Sequence, residues 1–291
     1  MFKGSYVAII TPFKNGEVDY ETLEKLVNWQ IEQGINGLVP VGTTGESPTL
    51  NNDEHKKVIE TVVKAANGRV PVIAGAGSNS TAEAVEMTEF AKKVGADATL
   101  QVGPYYNKPE QEGFYQHFKT IAEAVDLPVI LYNIPGRCGA GMTPETIARL
   151  ADVKNVVAVK EATGSLDQAS EIALRCDITI LSGDDSLTLP LASVGGQGVI
   201  SVIANIIPAD VRKMTDLILE GKLTEAREWH KKLFGLGKTM LTMATNPIPV
   251  KTACSMLGMC TPEMRLPMTP LEEDKKQALK KALQDYGLDV K

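Results

Sequence analysis

The chain has 291 residues, 43 % of them hydrophobic and 23 % charged, enough apolar material for one large domain with a buried core and unlike a disordered segment. The formal net charge of −6 argues against nucleic acid as the main partner, because phosphate contacts need clustered Lys and Arg. No apolar run is long enough to span a bilayer, and the opening "MFKGSYVAIITPF" lacks a basic region followed by a long apolar stretch, so no secretory signal is read and a cytoplasmic protein is expected.

Short apolar runs rich in Val and Ile recur along the first two thirds of the chain: "YVAII" at 6, "GLVPV" at 37, "VPVIAG" at 70, "DATLQVG" at 97, "LPVILYN" at 127, "VVAVK" at 156, "ITILSG" at 178 and "GVISV" at 198. They are continuous rather than alternating, the pattern of strands buried on both faces. Amphipathic helical patterns lie between them. "DYETLEKLVNWQIEQG" spaces Leu23, Leu26, Val27 and Ile31 for one helix face and stops at Gly34, a C-terminal cap. "STAEAVEMTEFAKKVG" opens on a Ser/Thr cap and ends in Lys-Lys-Val-Gly, and "TPETIARLAD" opens on Thr-Pro, a helix-start pair. Strand-then-helix units repeated about eight times predict a parallel sheet with helical crossovers. Eight units suit a closed (β/α)₈ TIM barrel over residues 1–205. An open doubly wound sheet would carry a glycine-rich nucleotide turn after its first strand, where "TPFKNGEVD" stands instead. Residues 206–291 read as an all-helical C-terminal region, through "PADVRKMTDLILEG", "TEAREWHKKLFGLGKTM", "IPVKTACSMLG" and "PLEEDKKQALKKALQDYG".

None of the four cysteines, Cys138, Cys176, Cys254 and Cys260, forms a CxxC pair, which fits reduced, mostly buried thiols. The three histidines are far apart, and only His55 has carboxylates beside it, in "NDEH". That segment reads as the first turn of a surface helix. No metal site is expected, and no nucleotide site of the GxxxxGK[ST] type is present.

Barrel active sites lie at the C-terminal ends of the strands. That rule selects Thr43 and Thr44 after the second strand, Tyr105 and Tyr106 after the fourth, Tyr132 and Arg137 after the fifth, Lys160 at the sixth and "SGDD" at 182–185 after the seventh. A lysine that ends an apolar strand invites two readings. It either snorkels to the rim or pairs with Glu161, or it is desolvated, loses its proton more readily and attacks a carbonyl to form a Schiff base. Lys251, in "NPIPVKTA", has a similar local sequence but falls in the helical tail. Tyr132 ends the neighbouring strand and is either a packed tyrosine or a phenol that shuttles protons to a carbinolamine and an enamine. Arg137 presents a planar fork that suits a carboxylate, or forms a surface salt bridge. "GTTGES" at 42–47 offers two hydroxyls and free backbone N–H groups to an anion.

Taken together, "GTTGES", "PYYNKP", "LYNIPGR", "VKEATG" and "LSGDD", continuing through "NPIPVK" and "RLPM", resemble the dihydrodipicolinate synthase branch of the N-acetylneuraminate lyase family over nearly the whole chain. The resemblance implies a (β/α)₈ barrel with a C-terminal helical domain and a class I aldolase acting on pyruvate without metal or nucleotide cofactor. It implies that Lys160 is the Schiff-base lysine and Tyr132 the proton donor and acceptor. Thr43 would relay protons between Tyr132 and Tyr106, the latter reaching in from a neighbouring subunit. Thr44 and the Ile200 backbone would hold pyruvate, and Arg137 the carboxylate of the second substrate, L-aspartate 4-semialdehyde. The product of that branch is 4-hydroxytetrahydrodipicolinate, on the route to lysine and diaminopimelate. Homotetramers built as dimers of dimers are the family's usual assembly. Sialic-acid lyases are less similar, with Ser-Thr at the Thr43-Thr44 position and no arginine at the Arg137 position. The family's feedback site for L-lysine maps to Ser47, His55, Asn79, Glu83 and Tyr105, although Pro48 replaces a usual alanine and Asn52 a usual histidine. Two other readings stay open on sequence: an aldolase or lyase for another 2-keto acid such as a sugar acid, and a non-catalytic protein that senses pyruvate or lysine.

Overall fold

The structure is a computed structural model that describes residues 2–290. Eight parallel strands form the central sheet: β1 Gly4–Ala8, β2 Gly37–Val39, β3 Ile73–Gly75, β4 Ala98–Val102, β5 Val129–Asn133, β6 Val156–Glu161, β7 Thr179–Ser182 and β8 Gly198–Ser201. Each coincides with one of the apolar runs. Neighbours in space are neighbours in sequence, and β8 pairs with β1 in register from Gly4 opposite Gly198 to Val7 opposite Ser201. Between β2 and β3 the barrel is joined by one parallel bridge, Leu38 to Val72, flanked by Leu38 N–H to the Pro71 carbonyl at 3.0 Å and Gly75 N–H to the Pro40 carbonyl at 3.0 Å.

The strands are buried on both faces, which accounts for their unbroken hydrophobicity. Inward-facing residues, including Tyr6, Ala8, Val39, Ile73, Ala98, Leu100, Ile130, Tyr132, Ala158, Leu181 and Ile200, pack into one interior cluster. Their sequence neighbours Val7, Leu38, Val129, Leu131 and Val159 face the surrounding helices. Those helices are α1 Tyr20–Glu32, α2 Asn52–Ala66, α3 Thr81–Val94, α4 Gln111–Ala124, α5 Pro144–Ala151, α6 Leu166–Arg175, α7 Thr188–Ala192 and α8 Pro208–Leu219. Their ends follow local chemistry: Asp19, Ser80 and Thr143 side chains accept the backbone N–H three residues on, and Gly95 closes α3 in the left-handed region.

Helix α8 packs against β1 and β8. Three further helices, α9 Leu223–Met243, α10 Ile248–Met256 and α11 Glu273–Tyr286, pack on α8, on one another and on the turns that follow β7 and β8. The C-terminal region therefore reaches the end of the barrel where the strands terminate. Among the described residues no helix is long and apolar enough to cross a membrane.

Candidate active site

A cavity of about 490 Å³ opens at the C-terminal ends of the strands. Its walls come from nearly every strand end: Ala8 from β1, Gly42, Thr43 and Thr44 after β2, Leu100 from β4, Tyr132 from β5 with Ile134, Gly136 and Arg137 beyond it, Lys160 from β6, Gly183 and Asp184 after β7, and Val202 after β8. Leu241, Thr245 and Asn246 close it from the C-terminal region.

Lys160 is 6 % exposed and lies opposite Tyr132 in the β5–β6 register. Its Nζ sits 4.1 Å from the Tyr132 ring centroid. Gly183 leaves room for the lysine stem, since a Cβ there would stand 3.1 Å from Lys160 Cε and 2.6 Å from Ala162 Cβ. Burial lowers the Lys160 amine from 10.5 to about 8; Asp185 and Asp184 oppose that shift and Arg137 adds to it. Desolvation is the larger effect, and the carboxylate that opposes it most, Asp185, is already engaged. Asp185 accepts from Ser201 Oγ at 2.5 Å and from the N–H groups of Val202 and Ile203 at 2.9 and 3.1 Å. At pH 7 about one molecule in ten then carries the neutral amine, against about one in three thousand for a free lysine.

Glu161 is not the partner of Lys160. Strand alternation sends it to the opposite face, where its carboxylate accepts from Asn133 Nδ2 at 3.2 Å and Thr163 N–H at 2.8 Å. The look-alike Lys251 is also buried, but its Nζ donates to Glu46 Oε1 at 2.5 Å. Of two lysines with similar local sequence, one is held in a direct salt bridge with a carboxylate and the other, among the described residues, makes none.

Tyr132 is 5 % exposed, and burial pushes its phenol up to about 12, with the Arg137 charge and then the nearby Thr43 hydroxyl pulling the other way. Thr44 is buried and its hydroxyl accepts from Asn246 Nδ2 at 3.0 Å. Arg137 stands on a short helical turn, Pro135–Cys138, and its Nη2 donates to the Asn246 carbonyl at 3.2 Å. Cys138 beside it donates to the Gly103 carbonyl at 3.0 Å, and burial raises its thiol to about 11, so it packs and remains protonated at neutral pH.

The structure thus brings Thr43, Thr44, Tyr132, Arg137 and Lys160 to one cavity. The Ile200 side chain does not line it; it is fully buried in the barrel interior below. Tyr106 does not enter it either. Its side chain is 91 % exposed and its backbone is left-handed at φ 73°, a strained setting for a tyrosine. Asn246 is the functional-looking residue that the strand-end rule misses. It contacts both Thr44 and Arg137, and its own Oδ1 is buried without a hydrogen-bond partner among the described residues. The available signal was its place in "NPIPVK", a loop just ahead of α10.

A second cavity of about 480 Å³ shares Thr43, Leu100, Tyr132 and Arg137 with the first. It gathers Ser47, His55, Glu83 and Tyr105, with Pro48 and Asn52. Asn79 joins through its side-chain amide, which donates to the Tyr105 carbonyl at 3.0 Å. Glu83 accepts from Ser78 Oγ at 2.7 Å, and His55 Nε2 bonds the Gly75 carbonyl at 2.7 Å, while burial lowers the imidazole's pKa. Among the described residues no group of three or more His, Cys, Asp or Glu is arranged to hold a metal ion.

A model described as the Dihydrodipicolinate synthetase family matches residues 1–286. A curated protein of Geotalea uraniireducens (strain Rf4) named 4-hydroxy-tetrahydrodipicolinate synthase is 56 % identical over 290 residues, 99 % of this chain and 100 % of that protein. The solved structure of the chloride-inhibited dihydrodipicolinate synthase from Acinetobacter baumannii complexed with pyruvate is 46 % identical, covers 99 % of this chain and 100 % of its own, and has a TM-score of 0.97. The structure of DHDPS from Cyanidioschyzon merolae with lysine bound is 44 % identical, covers 99 % of both chains and has a TM-score of 0.95.

Proposed function

The chain belongs to the dihydrodipicolinate synthetase family, and on that premise we propose that Lys160 condenses pyruvate with L-aspartate 4-semialdehyde through a Schiff base. The activity is that of a 4-hydroxy-tetrahydrodipicolinate synthase, a lyase of lysine and diaminopimelate biosynthesis. Sugar-acid and sialic-acid cleavage are not favoured, since full-length relatives at 53 to 56 % identity carry the synthase name. The observation that carries the chemistry is the buried Lys160 amine, unneutralised and pushed down to about 8 in the barrel mouth.

The neutral amine attacks C2 of pyruvate. Tyr132, a protonated phenol at neutral pH, donates to the developing oxyanion, and loss of water leaves an iminium. The iminium acidifies C3; removal of a C3 proton gives an enamine, which attacks the aldehyde carbon of the semialdehyde. The semialdehyde's own amine then displaces Lys160, closes the ring and frees the enzyme. The iminium itself is the electron sink, so this sequence uses no metal or nucleotide. Thr44 holds the pyruvate carboxylate, and the Ile200 backbone lines the pyruvate site. Thr43 links Tyr132 to Tyr106, supplied by a neighbouring subunit in a homotetramer; the outward, strained setting of Tyr106 supports that role. A cytoplasmic site of action goes with this reading. Turnover of pyruvate with the semialdehyde, measured beside N-acetylneuraminate cleavage, tests it; absence of semialdehyde consumption sinks the assignment.

Arg137 serves the second substrate. A charge-assisted bidentate bond to its carboxylate contributes about 1.5–3 kcal/mol, so Arg137→Ala is expected to raise KM for the semialdehyde about 10- to 100-fold and leave KM for pyruvate nearly unchanged. Equal effects on both substrates in steady-state kinetics would reassign the residue.

The adjoining cavity binds L-lysine. The Glu83 carboxylate faces a space that suits an ammonium group, and Tyr105, Asn79, Ser47 and His55 surround it with polar atoms. Millimolar lysine is expected to inhibit turnover, and Glu83→Gln to remove the inhibition while leaving kcat near that of the parent. Lysine titrated into the assay without effect refutes the site.

A further inference from the structure

The mechanism leaves one buried charged pair unused. Glu46 and Lys251 have side-chain exposures of 2 % and 1 %, and they meet at 2.5 Å. Glu46 ends the turn that carries Thr43 and Thr44. It holds the left-handed region at φ 56°, and Val41 at the turn's other end does so at φ 50°. Such conformations are costly for residues with a Cβ and persist only where the surroundings hold them. Lys251 lies on α10, outside the barrel. Its Nζ stacks 3.9 Å from the Phe13 ring centroid, and the Arg265 guanidinium lies 4.6 Å from the same ring. Arg265 donates to the Thr49 and Gly16 carbonyls at 3.0 and 2.8 Å and to both Glu54 oxygens at 2.7 and 2.6 Å. A buried ion pair is a poor source of stability, because desolvation offsets its attraction. What it supplies is fixed geometry, since neither partner can leave without stranding the other.

We propose that Glu46 and Lys251, braced by Arg265, are positioning residues that latch the Thr43–Thr44 turn to the C-terminal helices and hold it in its reactive conformation. The helical region then takes part in pyruvate activation without touching the reacting atoms. Asn246, five residues before Lys251, reaches Thr44 from the same side. This inference rests on the reading of Thr43 and Thr44 as parts of the pyruvate site.

The test uses the full chain and the double variant Glu46→Gln/Lys251→Met, which removes both charges and strands neither. Adduct formation on Lys160 is followed by pyruvate with borohydride and mass spectrometry, next to kcat, KM and thermal melting. Misplacement by a fraction of an ångström slows oriented reactions substantially, so a cooperatively melting double variant is expected to trap pyruvate about 10- to 100-fold more slowly, and the single variant Lys251→Arg, which keeps both charges, to lose less. A folded double variant with trapping rate and kcat within about twofold of the parent overturns the latch. If the double variant fails to fold, Arg265→Ala decides, because that side chain is partly solvated and the carboxylate it leaves, Glu54, is also partly solvated and still accepts from the Asn51 N–H. Faster hydrogen exchange at residues 42–47 together with a lower kcat supports the latch; both unchanged overturns it. A parent protein that is itself not trapped at Lys160 would fault the reading of the site rather than the latch.

Discussion

Lys160→Met lowers kcat/KM by about 10³-fold or more, because no other group in the cavity can form the covalent intermediate, and it raises stability. Methionine fills the lysine's volume beside Gly183 and the Tyr132 ring without an amine to desolvate. The sign of the stability change follows from linkage. The amine's folded value of about 8 lies below its unfolded value of 10.5, so between those pH values the unfolded chain binds more protons, and stability of the parent rises with pH across that window. Below pH 8 the parent carries the full penalty, on the order of 3 kcal/mol. The variant lacks it. Thermal melts of parent and Lys160→Met are therefore expected to differ most at pH 7 and to converge above about pH 10. The same group governs the kinetics: kcat/KM for pyruvate climbs about tenfold per pH unit below 8 and levels off above it. A variant that is less stable than the parent at pH 7, or a profile flat from pH 6 to 9, would mean that Lys160 is not held as an uncompensated amine.

The strands and most helix limits could be read from local pattern, because burial on both faces writes continuous Val/Ile runs and the helix caps are short-range chemistry. Even the meeting of Tyr132 and Lys160 follows from two strand ends and the alternation of side chains. What local pattern could not supply were contacts across the whole chain. "VVAVK" and "IPVK" look alike, and the carboxylate that pairs with Lys251, on Glu46 205 residues away, was invisible to local pattern. Asn246 was missed for the same reason: its partner Thr44 is 202 residues away. The pattern of α8 is as amphipathic as that of the helices after it, so periodicity alone did not reveal that it packs on β1. Nor could any single-chain pattern explain Tyr106, whose exposed side chain has no use inside its own barrel.

Tyr132→Phe separates proton transfer from packing. The ring, which faces Lys160 Nζ at 4.1 Å and belongs to the barrel's interior cluster, is retained, and only the hydroxyl is lost. A positioned acid–base group contributes about 10²- to 10⁴-fold, so kcat falls by that amount while KM for pyruvate moves little and the melting temperature holds. The buried phenol titrates only near 12; at neutral pH it therefore enters each turnover as an acid and must recover its proton from a partner. On the proposed reading Thr43, which lines the same cavity, is that partner, and Thr43→Val is expected to slow turnover as well, though less than loss of the phenol. If the two act in one relay, the double variant is scarcely slower than Tyr132→Phe alone, because the second hydroxyl has nothing left to pass on. Strictly multiplicative losses would instead make them independent groups. Borohydride trapping places the defect: fewer adducts on Lys160 locate it before the iminium, and a normal yield of adduct with slow turnover locates it at the enamine or the ring closure.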